Sequence, residues 1–519
     1  MANPDLIVYN GRVYPQLSTE SRVEAISITD GRVTKTGSSR DLLKLKSASV
    51  DSLDLHGSTA LPGLADSHIH LLGYGMLMRT LNLSSARSIP EIQRMLAKAS
   101  STKLRDNWIL GRGWDQEMLR ERRYPDRSDI DVVANPVFLR RICGHVAVAN
   151  SAALTAAGVN ENTPEPFGGE IERDSIGKPN GILKERALEI VSRSVPRDET
   201  EARQALVVAS EKLLAQGVTA LHCIVEDEQE FKALRELKKE GKIEQTIYVI
   251  LPLNMLDQVS SMEDELGAWA NGFRIGGIKV FLDGSLGART AALGHPYDDD
   301  PGSSGMLTTS REQLSNLIEK AGETGLQLCL HAIGDRAVQL GVETLNESLG
   351  PRDCRKSRPR IEHASLLSPD LIKKMANLGL VASVQPRFIY SDNWAEQRLG
   401  RDRIQYLYPF KSMLRAGIHL AAGSDTPSDD PSTAEGLWSA VSRPGLSPSE
   451  RLTPSEALTC YTRGAAYASF SENDEGTLEL GKWANLTILD RDPFESPPEA
   501  LRKLRVVQTI VRGKVFRWN

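Results

Sequence analysis

Two histidines separated by one residue, His68 and His70, are the first residues of the chain whose spacing suits chemistry. They end the apolar run Leu61–His70, in which a Pro-Gly turn precedes a predicted short buried strand. Residues i and i+2 of a strand share one face, so both imidazoles point the same way, as a divalent metal requires. A lone His-x-His pair is also common by chance, so a metal site needs support from other residues.

Four further residues that could bind a metal or take part in chemistry fall at or near the ends of predicted strands. His331 and His363 end two apolar runs, Asp425 follows a third, and Lys279 lies within the apolar run 277–282. The chain has nine histidines, and four of them stand at strand ends, a distribution that is hard to obtain by chance. Imidazole and carboxylate groups are zinc ligands in proteins, so the set favours a metal centre.

Lys279 needs an explanation of its own, because an unpaired buried ammonium group is strongly disfavoured. One interpretation is a salt bridge, with Asp283 as the partner. The other is that Lys279 loses its proton and reacts with carbon dioxide to give a carbamate, an anionic ligand able to bridge two metals. The spacing alone leaves both interpretations open.

These side chains must be brought together by the elements between them. Apolar strands alternate with helical patterns through the middle of the chain, which indicates βα units around a parallel sheet. The candidate strands are Ala60–His70, Trp108–Gly111, Val137–Ile142, Val218–Cys223, Ile275–Leu282, Gln327–His331, Arg360–His363, Leu380–Val384 and Ile418–Gly423. Eight such units close a (β/α)8 TIM barrel with its chemistry at the carboxyl ends of the strands, so at least one candidate belongs elsewhere.

Both ends of the chain are rich in short β-runs separated by turns such as Asn10-Gly11 and Arg512-Gly513. We therefore predict an α/β protein in which residues 1–58 and 470–519 form a small composite β-sandwich and residues 59–469 form the barrel. The first barrel strand and Val218 are too far apart for a simple βα connection. Residues about 75–210 are predicted to form an insertion over the active-site mouth, where such loops shape a substrate pocket.

Composition excludes several classes of function. The 519 residues carry 63 Lys and Arg against 68 Asp and Glu, a net charge of −5, so nothing favours nucleic acid or an acidic membrane. No secretory signal and no apolar run long enough to cross a membrane is visible. The five cysteines show no Cys-x-x-Cys pair and are expected to be reduced. We predict a cytoplasmic enzyme that acts on a small-molecule substrate. A homodimer is one assembly open to it.

The set His68, His70, Lys279, His331, His363 and Asp425 resembles the metal ligands of the amidohydrolase superfamily. More narrowly, the local motifs resemble family 3, which contains N-substituted formamide deformylase and the YtcJ-like hydrolases. The matching runs are Leu61-Pro62-Gly63 through His70, Gly111-Arg112-Gly113-Trp114-Asp115, Gly144-His145, Gly217-Val218-Thr219, Lys279 through Ser285, His331-Ala332-Ile333-Gly334-Asp335, Ile361-Glu362-His363-Ala364, Gln385-Pro386 and Gly423-Ser424-Asp425-Thr426-Pro427. They occur in the expected order along almost the whole chain.

This resemblance implies a centre of one or two divalent metals, most often zinc. His68 and His70 would hold the more buried metal with Asp425, and His331 and His363 would hold the second. Lys279, if carboxylated, would bridge them. A metal lowers the pKa of its bound water to give a hydroxide nucleophile, and Asp425 would move the proton to the leaving group.

The resemblance implies hydrolysis of a C–N bond, in an amide-like or formamide-like organic substrate. Candidate substrate-binding residues are Trp114, His145, Arg289 and Gln385. A lactonase or esterase, a deaminase, and a non-catalytic regulatory protein are the alternatives. Deaminases of this type carry Glu three residues after the fifth-strand histidine, whereas Gly334 stands there in this chain.

Overall fold

A computed structural model of the protein describes residues 4–78, 80–102, 108–196, 199–265 and 269–518. Its centre is an eight-stranded parallel sheet whose neighbouring strands follow one another along the chain. The strands are β1 (Leu64–Ile69), β2 (Val218–Ile224), β3 (Thr246–Pro252), β4 (Phe273–Phe281), β5 (Gln327–Ala332), β6 (Arg360–His363), β7 (Val381–Val384) and β8 (His419–Ala422). The predicted (β/α)8 barrel is confirmed.

Helices cover the outside of the barrel, and the largest apolar core lies between them and the strands. Every residue of β2 is buried, as expected for parallel strands that are covered on both faces. The longer helices are Leu71–Leu77, Glu199–Leu214, Glu228–Lys239, Arg311–Thr324, Asp335–Ser348, Gly350–Ser357, Pro369–Leu378, Ala395–Arg403 and Thr433–Ser442. Shorter ones are Phe388–Ser391, Phe410–Arg415, Pro454–Thr459 and Ala465–Ala468, and Leu253–Glu265 is a 3-10 helix. Within the described ranges, no helix has the length and hydropathy needed to cross a membrane.

The first and last barrel strands meet at their carboxyl ends. The backbone N–H of Asp425 donates to the carbonyl of His68 at 2.8 Å, and the N–H of His70 donates to that of Thr426 at 3.0 Å. Below them, the carboxylate of Asp66 accepts from the N–H of Ser424 at 2.9 Å. These bonds hold the segment after β8 against the end of β1, where the two histidines lie.

The predicted strand list needs two corrections. Trp108–Gly111 and Val137–Ile142 correspond to the strands Ile109–Trp114 and Val137–Arg141, which pair with each other in a separate sheet outside the barrel. With these two strands outside the barrel, seven of the nine candidates remain in it. The eighth barrel strand is β3, which the sequence prediction omitted.

The predicted strand Ala60–His70 is also two strands in two sheets. Thr59–Pro62 pairs antiparallel with Leu486–Leu489 in the sheet built from the chain ends, and β1 begins only at Leu64. Residue 59 therefore lies in the sheet built from the chain ends, and the predicted domain bounds stay a prediction. Gly63 stands between the two strands, so the chain passes from one sheet to the other within one residue.

The lack of a side chain at Gly63 allows this close passage. A Cβ atom there would lie 2.2 Å from Oγ1 of Thr219 and 2.7 Å from its Cγ2. Gly63→Ala is expected to destabilise the fold by about 1–3 kcal/mol through overpacking. A fall in the apparent melting temperature measures the effect.

Thr219→Ala provides the matched background for this prediction, because it removes the two nearest atoms. The cost of Gly63→Ala should be clearly smaller in that background than in the wild type, since contacting residues are not additive. An equal fall in melting temperature in both backgrounds would show that contact with Thr219 is not the cause.

The chain ends form two small sheets with a common apolar core, and the second sheet combines strands from both ends, so the composite β-domain of the predicted fold class is present. One sheet contains Leu6–Tyr9, Ala25–Thr29, Arg32–Gly37 and Asp51–Asp54. The other contains Arg12–Val13, Thr59–Pro62, Leu486–Leu489, Val506–Val511 and Lys514–Arg517. The helices Ser39–Leu43 and Pro498–Leu501 belong to the same two chain segments.

A six-stranded sheet lies between β1 and β2 in the sequence, within the predicted insertion. Its strands are Leu81–Asn82, Ile109–Trp114, Val137–Arg141, Val146–Ala149, Gly169–Arg173 and Pro179–Glu185. Its helices are Ile89–Ser100, Arg127–Ile130, Ser151–Ala156 and Leu188–Ser192. Separate apolar clusters on the two faces of this sheet give the insertion a core of its own.

Candidate metal centre

Three predicted ligands converge where β1 meets the segment after β8. One carboxylate oxygen of Asp425 lies 3.3 Å from Nε2 of His68 and 3.5 Å from Nε2 of His70. Over the described ranges, this is the one group of three or more His, Cys, Asp or Glu side chains whose ligand atoms all lie within 4.8 Å of one another. Two imidazole nitrogens and a carboxylate oxygen form a donor set that suits zinc, so the residues fit a divalent metal.

Local backbone geometry produces this convergence. Asp425 has a φ of 56°, an uncommon left-handed conformation that turns the chain immediately after β8. Burial alone would raise the pKa of the Asp425 carboxyl, but hydrogen bonds to His68 and His70 hold it well below its usual range. The carboxylate is therefore ionised at neutral pH and is able to bind a cation or accept a proton.

His331 and His363 lie beside this group but not within it. Their ring centroids are 4.4 Å apart, and the ring of His363 is 4.8 Å from that of His68. Burial lowers the pKa of His363 to about 3 and that of His331 well below its ordinary value. Both rings are therefore neutral at physiological pH, the form in which imidazole binds metals.

Lys279 is buried beside His68, and its Nζ lies 3.3 Å from Nε2 of that ring. It does not pair with Asp283, whose carboxylate instead accepts backbone N–H groups from Ala292, Ile333 and Gly334. Burial lowers the pKa of Lys279, which favours the neutral amine that reacts with carbon dioxide. The carbamate at Lys279 stays a prediction.

The model of the "Amidohydrolase family" matches residues 51–517. The chain belongs to the amidohydrolase family. The predicted resemblance is thus confirmed, and the protein is a hydrolase of this family.

Full-length relatives support the assignment. The amidohydrolase is 32% identical over 98% of its length to YtcJ, a candidate amidohydrolase of Bacillus subtilis (strain 168), and covers 98% of that protein. It is 30% identical over 99% of its length to N-substituted formamide deformylase of Arthrobacter pascens, 98% of which is covered. The crystal structure of an uncharacterized metal-dependent hydrolase from Pyrococcus furiosus shares 34% identity, with a TM-score of 0.78 over 94% of this chain and 100% of that one.

Two of the predicted substrate-binding residues contact the histidine cluster of the amidohydrolase. Gln385 accepts a hydrogen bond from Nδ1 of His363 at 2.8 Å, which leaves Nε2 of that ring available. The ring of His145 lies 5.5 Å from that of His331, and its Nδ1 donates to Glu185 at 2.8 Å. Burial alone would lower the pKa of His145, but the Glu185 carboxylate raises it to about 9.

The other two predicted substrate residues lie elsewhere in the amidohydrolase. Trp114 is 0% exposed in the core of the insertion, and its indole N–H donates to the carbonyl of Leu139 at 2.9 Å. Its strand turns this side chain inward, and its role as a pocket residue stays a prediction. Arg289 pairs with Asp299 at 2.9 Å and lines a cavity of about 440 Å³ with Tyr124 and Thr290.

Sequence reasoning missed several residues that shape the site. Phe281 is 45% exposed, and its ring centroid lies 5.0 Å from that of His331 and 5.2 Å from Nζ of Lys279. It forms an apolar wall beside the candidate ligands. Its position two residues after Lys279 in the same strand was the available signal, since i and i+2 share a face.

Arg112, which lies in the motif Gly111-Arg112-Gly113-Trp114-Asp115, connects the insertion to the metal centre. Its Nε donates to the carbonyl of Pro427 at 3.0 Å, and its Nη2 donates to the carbonyl of Ile142 at 3.2 Å. Pro427 follows Asp425 by two residues. The insertion therefore holds the segment that carries the candidate catalytic carboxylate.

Proposed function

We propose that this amidohydrolase is a metal-dependent enzyme that hydrolyses a C–N bond of an amide-like or formamide-like group in a small organic substrate. The observation that carries the proposal is the convergence of His68, His70 and Asp425, with 3.3 and 3.5 Å between the histidine nitrogens and the carboxylate. Its position at the carboxyl ends of the strands is where barrels of this type place their chemistry.

We further propose which residues hold the metal. His68, His70 and Asp425 would bind the more buried ion, for which zinc is the first candidate. His331 and His363 would bind a second, with Lys279 as a bridging carbamate. When bound, such an ion lowers the pKa of water and polarises a substrate carbonyl.

The remaining groups position the substrate and move protons. Asp425 accepts a proton from the attacking water and returns it to the leaving nitrogen. His145, held in its cationic form by Glu185, faces the site with a positive charge that stabilises developing negative charge on oxygen. Phe281 excludes water from one side and contacts an apolar part of the substrate.

A deaminase is less well supported because of the geometry at Gly334. A Cβ atom there would lie 2.0 Å from the carbonyl oxygen of Ala292, so this position cannot carry the glutamate of a deaminase. The backbone N–H of Gly334 also donates to Asp283 at 2.8 Å, which fixes the turn after β5. Both observations favour amide cleavage over deamination.

Metal analysis combined with a substrate panel tests the proposed function. Purified protein is expected to contain at least stoichiometric zinc and to act on formamides and simple amides faster than on lactones or amino-substituted rings. His70→Ala should lose both metal and turnover, because two ligands hold a metal less well than three. Protein that binds no zinc, or that cleaves only esters and lactones, would contradict the proposal.

A further inference from the structure

Beneath the candidate metal centre, the barrel interior contains a buried pair of opposite charges. Arg360 and Glu362 lie two residues apart on β6 and both are 0% exposed. Nε of Arg360 donates to one oxygen of Glu362 at 2.7 Å, and Nη2 donates to the other at 3.1 Å. The second oxygen also accepts from Nδ1 of His68 at 2.5 Å.

The guanidinium of Arg360 is held in place by further contacts. It donates to the carbonyl of Ser67 at 2.6 Å, to the hydroxyl of Ser383 at 2.9 Å and to Nδ1 of His222 at 3.0 Å. These partners lie on β1, β7 and β2. The position of Glu362 is therefore set by strands on several sides of the barrel.

Stability alone does not account for this pair. Bulky branched apolar side chains dominate the interior of such barrels. Replacing a buried ion pair with apolar residues is often neutral or stabilising, since removing charges from water costs several kcal/mol each. The carboxylate of Glu362 is instead directed at one imidazole, that of His68.

The hydrogen bond to Glu362 decides which nitrogen of His68 is available. A carboxylate accepts only, so Nδ1 of His68 donates to Glu362, and Nε2 is the ring nitrogen directed at the candidate metal centre. That Nε2 lies 3.3 Å from both the Asp425 carboxylate and Nζ of Lys279. A carboxylate on the far nitrogen also makes a histidine a more basic ligand.

From this geometry we infer that Glu362, held by Arg360, is a positioning residue that fixes the tautomer and ring orientation of His68 for metal binding. The inference rests on the proposed metal centre. It assigns to Glu362 a role in metal affinity, separate from the proton transfer assigned to Asp425.

Glu362→Gln tests the inference through metal binding, with no need for a substrate. Zinc affinity, measured by competition with a chelator, is expected to fall about 10–100-fold. The visible spectrum of the cobalt-substituted variant is expected to shift, because the His68 ring is no longer held at its wild-type angle. Glu362→Asp, which keeps the charge but shortens the reach, should give an intermediate loss.

Glu475→Gln is the matched control. Glu475 is also a buried carboxyl with two hydrogen bonds, from Thr246 at 2.5 Å and Asn485 at 3.1 Å, and none of these groups is a candidate ligand. Its zinc affinity and cobalt spectrum should equal those of the wild type. Wild-type affinity in folded Glu362→Gln would overturn the inference, whereas failure of the wild type to bind any metal would overturn the proposed function instead.

A measurement on the wild type keeps the test decisive if Glu362→Gln does not fold. Nuclear magnetic resonance of isotope-labelled histidine rings reports which nitrogen carries the hydrogen, and the signal lost in His68→Gln identifies the ring. Nδ1 of His68 is expected to be protonated in the metal-free protein. A hydrogen on Nε2 with none on Nδ1 would overturn the inference.

Discussion

Asp425→Asn is expected to lower kcat by about 10³-fold, within the usual contribution of a general acid and base. The amide has nearly the shape of the carboxylate and keeps one oxygen towards His68 and His70, but it does not accept and return a proton at neutral pH. Turnover of a formamide substrate in the presence of excess zinc measures the effect, and metal content measured alongside separates proton transfer from metal loss.

Asp492→Asn is a suitable control for this change. Asp492 is also buried, and its carboxylate accepts from the hydroxyl of Tyr14 at 2.6 Å, a bond that the amide oxygen can keep. Its kcat should remain close to that of the wild type. Near-normal turnover of zinc-loaded Asp425→Asn would rule out the proton-transfer role of Asp425.

Lys279→Ala is expected to reduce kcat/KM by at least about 10²-fold, the scale of removing one preorganised electrostatic group from an active site. The variant loses the nitrogen that would become the bridging carbamate, and with it the affinity for a second metal. Short carboxylates such as formate or acetate should restore part of the activity, because they place an anionic oxygen pair in the space left by the side chain.

Isotope-labelled bicarbonate provides a readout for this prediction that does not depend on activity. Wild-type protein with zinc is expected to show a carbamate carbon signal that Lys279→Ala lacks. Lys320→Ala is the control, since that ammonium group is exposed and lies 3.5 Å from the Asp257 carboxylate. Full activity of Lys279→Ala, or the absence of a carbamate signal in the wild type, would contradict the bridging role.

Much of the fold could be predicted because its signals are local. Parallel strands covered on both faces are short apolar runs, and β1, β2 and β4 to β8 are all recognisable in this way. The residues that could act chemically stand at the carboxyl ends of these runs. The same logic that locates a strand therefore locates His68, His331 and His363, and it places them on one side of the barrel.

Other features depend on contacts between distant parts of the chain. Glu362 and His68 are 294 residues apart, and no periodicity predicts that their side chains meet. The sheet to which Thr59–Pro62 belongs is decided by a partner near the other end of the chain. Trp114 has the residue type of a pocket wall, yet its strand directs it into the core of the insertion.

The sequence by itself thus determined the barrel, the composite β-domain and the residue types at the strand ends. Only the tertiary structure decided that His68, His70 and Asp425 converge while Asp283 is occupied by backbone N–H groups. The reason is that strand formation follows from hydrophobic periodicity over a few residues. Which side chains share a metal or a hydrogen bond depends on register, backbone turns and packing among strands that are remote in sequence.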